Sequence, residues 1–128
     1  MSASFLNIDL EIESPEPLEY LALQLSEHEI HYLYCGESKG GHLATFECNQ
    51  IGAISPDTLI DTFTQAIDSL DDRAKKLWSQ AHRKTFDIGY EADAKPGNFR
   101  SEIRPETIAA ISKVGASLIL TIYPRPKI

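Results

Sequence analysis

The sequence predicts an α+β domain, a two-layer sandwich in which a mainly antiparallel sheet of about five strands carries helices on one face. Two observations predict it. Segments such as FLNIDLEI (5–12) and TFDIGYEA (85–92) alternate apolar and polar residues, the period of a half-buried strand. Other segments repeat apolar residues three and four apart, the period of a helix lying on a core. The two kinds are interleaved along 128 residues, a length that suits one domain spanning 1–128.

Each element follows from its own signals. In FLNIDLEI, Leu6, Ile8, Leu10 and Ile12 share one strand face, and Phe5, Asn7, Asp9 and Glu11 share the other. Ser14 then precedes Pro15 and Pro17, which a first helical turn tolerates, and Leu18, Leu21, Ala22 and Leu25 mark a short helix over 15–25. Ile30 to Cys35 and His42 to Cys48 are β-rich runs joined by the turn signal GESKGG, so they form a hairpin. An in-phase register places His31, Leu33, Cys35, His42, Ala44, Phe46 and Cys48 on one face. Ile30, Tyr32, Tyr34, Leu43, Thr45 and Glu47 then lie on the other. The cysteine-bearing face, with small residues and Phe46, is expected to point inward.

After Ser55-Pro56-Asp57, apolar residues recur from Leu59 to Ala81 in helical phase, with cap-type residues at 69–72 that favour two helices over one. TFDIGYEA is the fourth strand and DAKPGNFRSEIR an exposed loop. Pro105 to Val114 reads as a helix closed by Gly115, and SLILTIY (117–123) is apolar enough for an internal strand. The order β-α-β-β-α-α-β-α-β begins as a split βαββαβ arrangement of the ferredoxin-like kind and continues with a further helix and strand.

Composition narrows the function. No apolar run reaches the length of a membrane span, and the acidic N-terminus lacks the basic region of a signal peptide, so a cytoplasmic protein with free thiols is expected. Net charge is −7, and it is divided. Residues 1–72 hold one basic residue, Lys39, against fourteen acids, whereas residues 73–128 hold eleven basic residues against five acids. An acidic surface disfavours nucleic acid and favours a basic protein partner.

Residues 28–48, which contain the hairpin, hold three of the four histidines and both cysteines. A structural zinc site uses four Cys or His ligands, commonly in close pairs, and no C-x-x-C is present. His31 and Cys35 lie ~13 Å apart along an extended strand, too far to share one ion. No metal and no cofactor is therefore expected. Cys35 with His42 is the one nucleophile–base pair that the sequence offers, and burial is the commoner fate of a cysteine. No catalytic motif accompanies them, so no catalytic residue is assigned.

The outward strand positions define a different candidate. Asp9 and Glu11, then Tyr32, Tyr34 and Glu47, then Asp87 and Glu91, and lastly Tyr123 would gather on the sheet face opposite the helices. Acids steer association with a basic protein, and tyrosines supply contact area. Trp78, in phase with the apolar stripe, is expected in the core, and Arg83 is expected to pair with Asp87 or to cap helix carbonyls.

FLNIDLEI, LWSQAHRKTFDIGYEA and GASLILTIYP together resemble segments of small bacterial α+β proteins of unknown function, some of them proposed as toxin-immunity proteins. The resemblance implies a small, acidic, cytosolic protein without a catalytic motif and transfers no functional residue. The leading expectation is a non-catalytic interaction protein, in concrete form an immunity-type inhibitor of a basic partner. The alternatives are a small enzyme or ligand-binding domain with a pocket near Cys35 and His42, and a homo-oligomeric assembly domain using the open sheet face.

Overall fold

Alternation and helical spacing become nine elements in the computed structural model, which describes residues 4–49, 55–92 and 100–125. In chain order they are β1 (Ser4–Ser14), α1 (Glu19–Leu25), β2 (Ile30–Ser38), β3 (Gly41–Cys48), α2 (Pro56–Asp68), α3 (Asp72–Gln80), β4 (Arg83–Ala92), α4 (Pro105–Lys113) and β5 (Ser117–Pro124). The first seven residues of the expected DAKPGNFRSEIR loop, 93–99, lie outside the described residues. The fold is α+β with one mixed five-stranded sheet in the order β2-β3-β1-β4-β5. β1 pairs antiparallel with β3 and β4, β2 pairs antiparallel with β3, and β4 pairs parallel with β5.

The helix ends follow local chemistry. The Ser55 hydroxyl accepts from the Thr58 N–H at 3.2 Å and starts α2. The Asp71 carboxylate accepts from the Ala74 N–H at 2.8 Å and starts α3, so the cap-type residues at 69–72 do separate two helices. Asp71 also accepts from the Tyr20 hydroxyl and, at 2.8 Å, from the Gln24 amide, which ties α1 to α3. These contacts hold its carboxyl below the usual carboxylate range, the Tyr20 hydrogen bond foremost.

Ile8, Leu10 and Ile12 of β1, Phe46 of β3 and Phe86 and Ile88 of β4 are fully buried on one sheet face, with Leu21, Leu25, Ile60 and Phe63 of the helices in the same core. The Phe63 and Phe86 rings lie 5.5 Å apart. Trp78 is buried as its phase predicts, and its indole N–H donates to the Val114 carbonyl at 2.8 Å. Burying such residues on one side only leaves the opposite sheet face, called here the outer face, half exposed.

Four expectations are corrected. A register shift between Phe5 and Asn7 interrupts the alternation of β1: Phe5 turns to the core side, edge-on to Tyr90, and Leu6 is exposed. A second shift, between Tyr32 and Tyr34, divides β2. A bulge inserts one residue and so reverses which residues share a face. The hairpin turn is tighter than GESKGG, because Ser38 pairs with Gly41 and only Lys39 (φ 50°) and Gly40 (φ 80°) turn the chain. Two positive φ values in a two-residue loop match the twist of the flanking strands, and glycine meets that demand without strain. Lastly, β5 is an edge strand and not an internal one. β1 already occupies one side of β4, so the parallel crossover through α4 delivers β5 to the outside.

Among the described residues, no helix is long and apolar enough to cross a membrane.

Candidate functional site

Paired residues on adjacent strands share a sheet face, so the ladders determine the content of the outer face. Asp9 of β1 lies opposite Glu47 of β3 on one side and Asp87 of β4 on the other. His31 of β2 extends this row beyond Glu47, and Ile119 of β5 extends it beyond Asp87. Directly opposite side chains stand ~4.5–5.5 Å apart at Cβ, so three carboxylates are held side by side by the sheet itself.

Their surroundings differ. Glu47 accepts from the Asn7 amide at 2.8 Å, and its other oxygen lies 3.9 Å from His31 Nε2. Asp87 accepts from the Thr121 hydroxyl at 2.7 Å. Gly89 makes room for this arrangement, since a Cβ there would stand 3.1 Å from the Asn7 side-chain oxygen. Asp9, in the middle, has a buried Oδ1 with no hydrogen-bond partner among the described residues. Burial first, and then the negative charges of Glu47, Glu11 and Asp87, push its carboxyl up to about 6. Burial and like charge act in the same direction, so the cluster opposes its own ionisation.

Cations lie on both sides of the row, displaced from it along the strands. Arg83 donates to Glu13 at 2.8 Å and to Glu11 at 3.2 Å, and Arg125 lies 3.8 Å from Glu91. The expected Arg83–Asp87 pair is therefore replaced: Arg83 sits directly opposite Glu13 in the ladder, nearer to it than to a residue four positions along its own strand. Beside Arg83, a shallow depression is lined by Glu11, Glu13, Lys39, Leu43 and Thr45. The charge division of the sequence is thus partly cancelled in space, and the cancellation stops short of Asp9.

Of the residues expected to form this face, Asp9, Glu11, Tyr34, Glu47, Asp87, Glu91 and Tyr123 lie on it by register. Tyr32 does not. It pairs with Phe46, on the core side of the bulge, and is 52% exposed because β2 is an edge strand. The bulge also brings His31 onto the outer face, which strict alternation had assigned to the opposite side. Nothing in the single strand marks the insertion.

The thiols show no activation. Cys35 stands 3.8 Å from a Glu19 carboxylate oxygen, and burial followed by that negative charge pushes its pKa up. Cys48 is buried against the Leu59 carbonyl, with its pKa pushed up to about 12 chiefly by burial. A reactive cysteine needs the opposite surroundings. The three depressions described in the surface are lined by other residues than Cys35 and His42. Among the described residues, no group of three or more His, Cys, Asp or Glu is arranged to hold a metal ion.

One polar cluster that the sequence did not disclose is structural. Asp57 accepts from the Arg104 N–H at 3.0 Å and from the Thr107 hydroxyl at 2.5 Å, fastening the start of α2 to the start of α4. Burial alone would raise its pKa, but these hydrogen bonds and the Arg104 charge bring it below the carboxylate norm.

No family model, no curated protein and no solved structure matches the chain.

Proposed function

We propose that this chain is a non-catalytic protein-binding domain whose outer sheet face receives a basic partner. The observation that carries the reading is the Glu47–Asp9–Asp87 row with its unfavourable central charge. A partner lysine or arginine laid across the row would pair with Asp9, favour its ionised form and remove the repulsion in one step. Tyr34 and Tyr123 flank the row on the two edge strands and supply contact area at low entropic cost. In its concrete form the reading is an immunity-type inhibitor, acting in the cytoplasm, that covers the active surface of a basic toxin or enzyme. The raised thiol pKa values oppose a cysteine nucleophile in the alternative built on Cys35 and His42.

The sheet order supports a finer reading of the fold as well. β2-β3-β1-β4 with α1 and the α2–α3 pair as the crossovers has the connectivity of a ferredoxin-like βαββαβ unit, and α4 and β5 extend it by one further helix and strand. The burial of one sheet face with the helices supports a two-layer sandwich.

Affinity capture from the native host, with the parent and with Glu47→Gln/Asp87→Asn as baits, tests the function. The expected result is a basic protein that the parent retains at low ionic strength, that is released as salt shortens the screening length below ~8 Å, and that the double variant fails to retain. Equal retention by both baits contradicts the reading.

A further inference from the structure

The two sheet edges are treated differently. β2, at one edge, is interrupted by its bulge and carries His31 and Glu37, devices that discourage pairing with another chain. β5, at the other, has only Pro124 at its very end. Its eight residues, SLILTIYP, contain no charge, and its ladder with β4 runs without interruption over its whole length. Leu118 is 40%, Leu120 54% and Ile122 52% exposed, on the side that bears the core in every other strand.

The backbone of this edge is also available. The Arg125 N–H donates to the Ala92 carbonyl at 3.0 Å, continuing the parallel ladder past Pro124. In a parallel ladder alternate residues bond to the neighbour, so the odd-numbered residues of β5 turn their N–H and C=O towards β4. Leu118, Leu120 and Ile122 consequently direct theirs outward. The same three residues thus present both backbone groups without a partner among the described residues and apolar side chains.

We propose that β5 pairs antiparallel with β5 of a second copy of this chain, across a two-fold axis at Leu120 that runs perpendicular to the sheet. The strand is complementary to its own image. With Leu120 opposite its symmetry mate, Leu118 meets Ile122 and Ile122 meets Leu118, each a mutually hydrogen-bonded pair, for about six new backbone bonds. On the outer face Ser117 meets Tyr123 and Ile119 meets Thr121, so no charge is buried and none opposes a like charge. Leu118, Leu120 and Ile122 carry this apolar exposure on one face of the strand, and Ile119 and Tyr123, 39% and 50% exposed, carry it on the other, so pairing shields apolar side chains on both faces. Because the axis keeps equivalent faces on one side, the dimer would present two acidic rows on the same face of one continuous sheet.

Sedimentation equilibrium at micromolar concentration tests the pairing on three proteins: the parent, Leu120→Lys, and Leu120→Cys in a Cys35→Ser background. The parent is expected at twice the chain mass and Leu120→Lys at the single mass with its circular dichroism unchanged. On mild oxidation Leu120→Cys should form a disulfide-linked dimer, because an axial pair brings its Cα atoms to ~5.5 Å, within disulfide reach. Ile119→Cys in the same background, displaced from its own symmetry mate, should not. A parent of single mass, a dimer that survives Leu120→Lys in folded form, or cross-linking at 119 in place of 120 would each overturn the proposal. Should Leu120→Lys fail to fold, the cysteine pair decides alone. The acidic row takes no part in this assay, so the binding reading stands or falls separately.

Discussion

Asp9→Asn removes one charge from the middle of the acidic row and leaves its shape unchanged. In the folded protein the Asp9 carboxyl titrates at about 6, against 3.8 in the unfolded chain. Between those values the native state binds the extra proton, so stability falls as pH rises through the window and stays lower above it. A rise from 3.8 to about 6 corresponds to ~3 kcal/mol at full strength, and the partial exposure of Asp9 reduces this to ~1–2 kcal/mol through solvent screening. Asparagine cannot ionise and escapes that loss. The variant should therefore match the parent near pH 4 and exceed it by ~1–2 kcal/mol at pH 8, the difference developing between these limits. Urea titrations followed by Trp78 fluorescence at three pH values measure it, and the midpoint at pH 8 should rise by ~0.5–1 M. Taking the difference between the two proteins cancels Asp57 and Asp71, whose lowered pKa values act with the opposite sign. A variant less stable than the parent at pH 8, or a difference independent of pH, would refute the account of the row.

Trp78→Ala should cost ~3–5 kcal/mol, because it empties a core position and leaves the Val114 carbonyl without its indole donor; an unchanged denaturation midpoint would contradict the packing. Asp57→Ala leaves the Arg104 N–H and the Thr107 hydroxyl without their acceptor and should cost ~1–3 kcal/mol, with hydrogen exchange accelerated at the start of α4; protection equal to the parent would show that the clamp is idle. Native Cys48 should resist thiol reagents at pH 8 while the unfolded chain reacts at both cysteines, and rapid labelling of Cys48 in the native protein would contradict its burial.

Periodicity disclosed the elements because it records which side of a segment is buried, and burial is decided locally along most of this chain. Ile8, Leu10 and Ile12 announce the core face of β1, and Leu59, Ile60 and Phe63 that of α2. Facts that depend on a neighbour stayed hidden. The bulges near Leu6 and Leu33 arise from pairing with β4 and β3, so the faces of Phe5 and Tyr32 could not be read from their own strands. SLILTIY carries the composition of an internal strand, but the crossover through α4 makes it an edge. Arg83 found Glu13 across the ladder, although Asp87 stood nearer in sequence. The acidic row was legible as outward positions of alternating strands, and the crowding of Asp9 between Glu47 and Asp87 emerged only with the register.

On the proposed function, the acidic row lowers the stability of the free protein and serves a basic partner. The most direct measurement sets the two effects side by side in Glu47→Gln/Asp87→Asn, comparing its denaturation midpoint at pH 8 with its association rate towards the captured partner at low salt. The double variant should be at least as stable as the parent and should associate ten-fold or more slowly, in the range by which electrostatic steering raises association rates (about 10–10³-fold), with the gap closing as salt is added. An association rate equal to the parent's at low salt would contradict the proposed function.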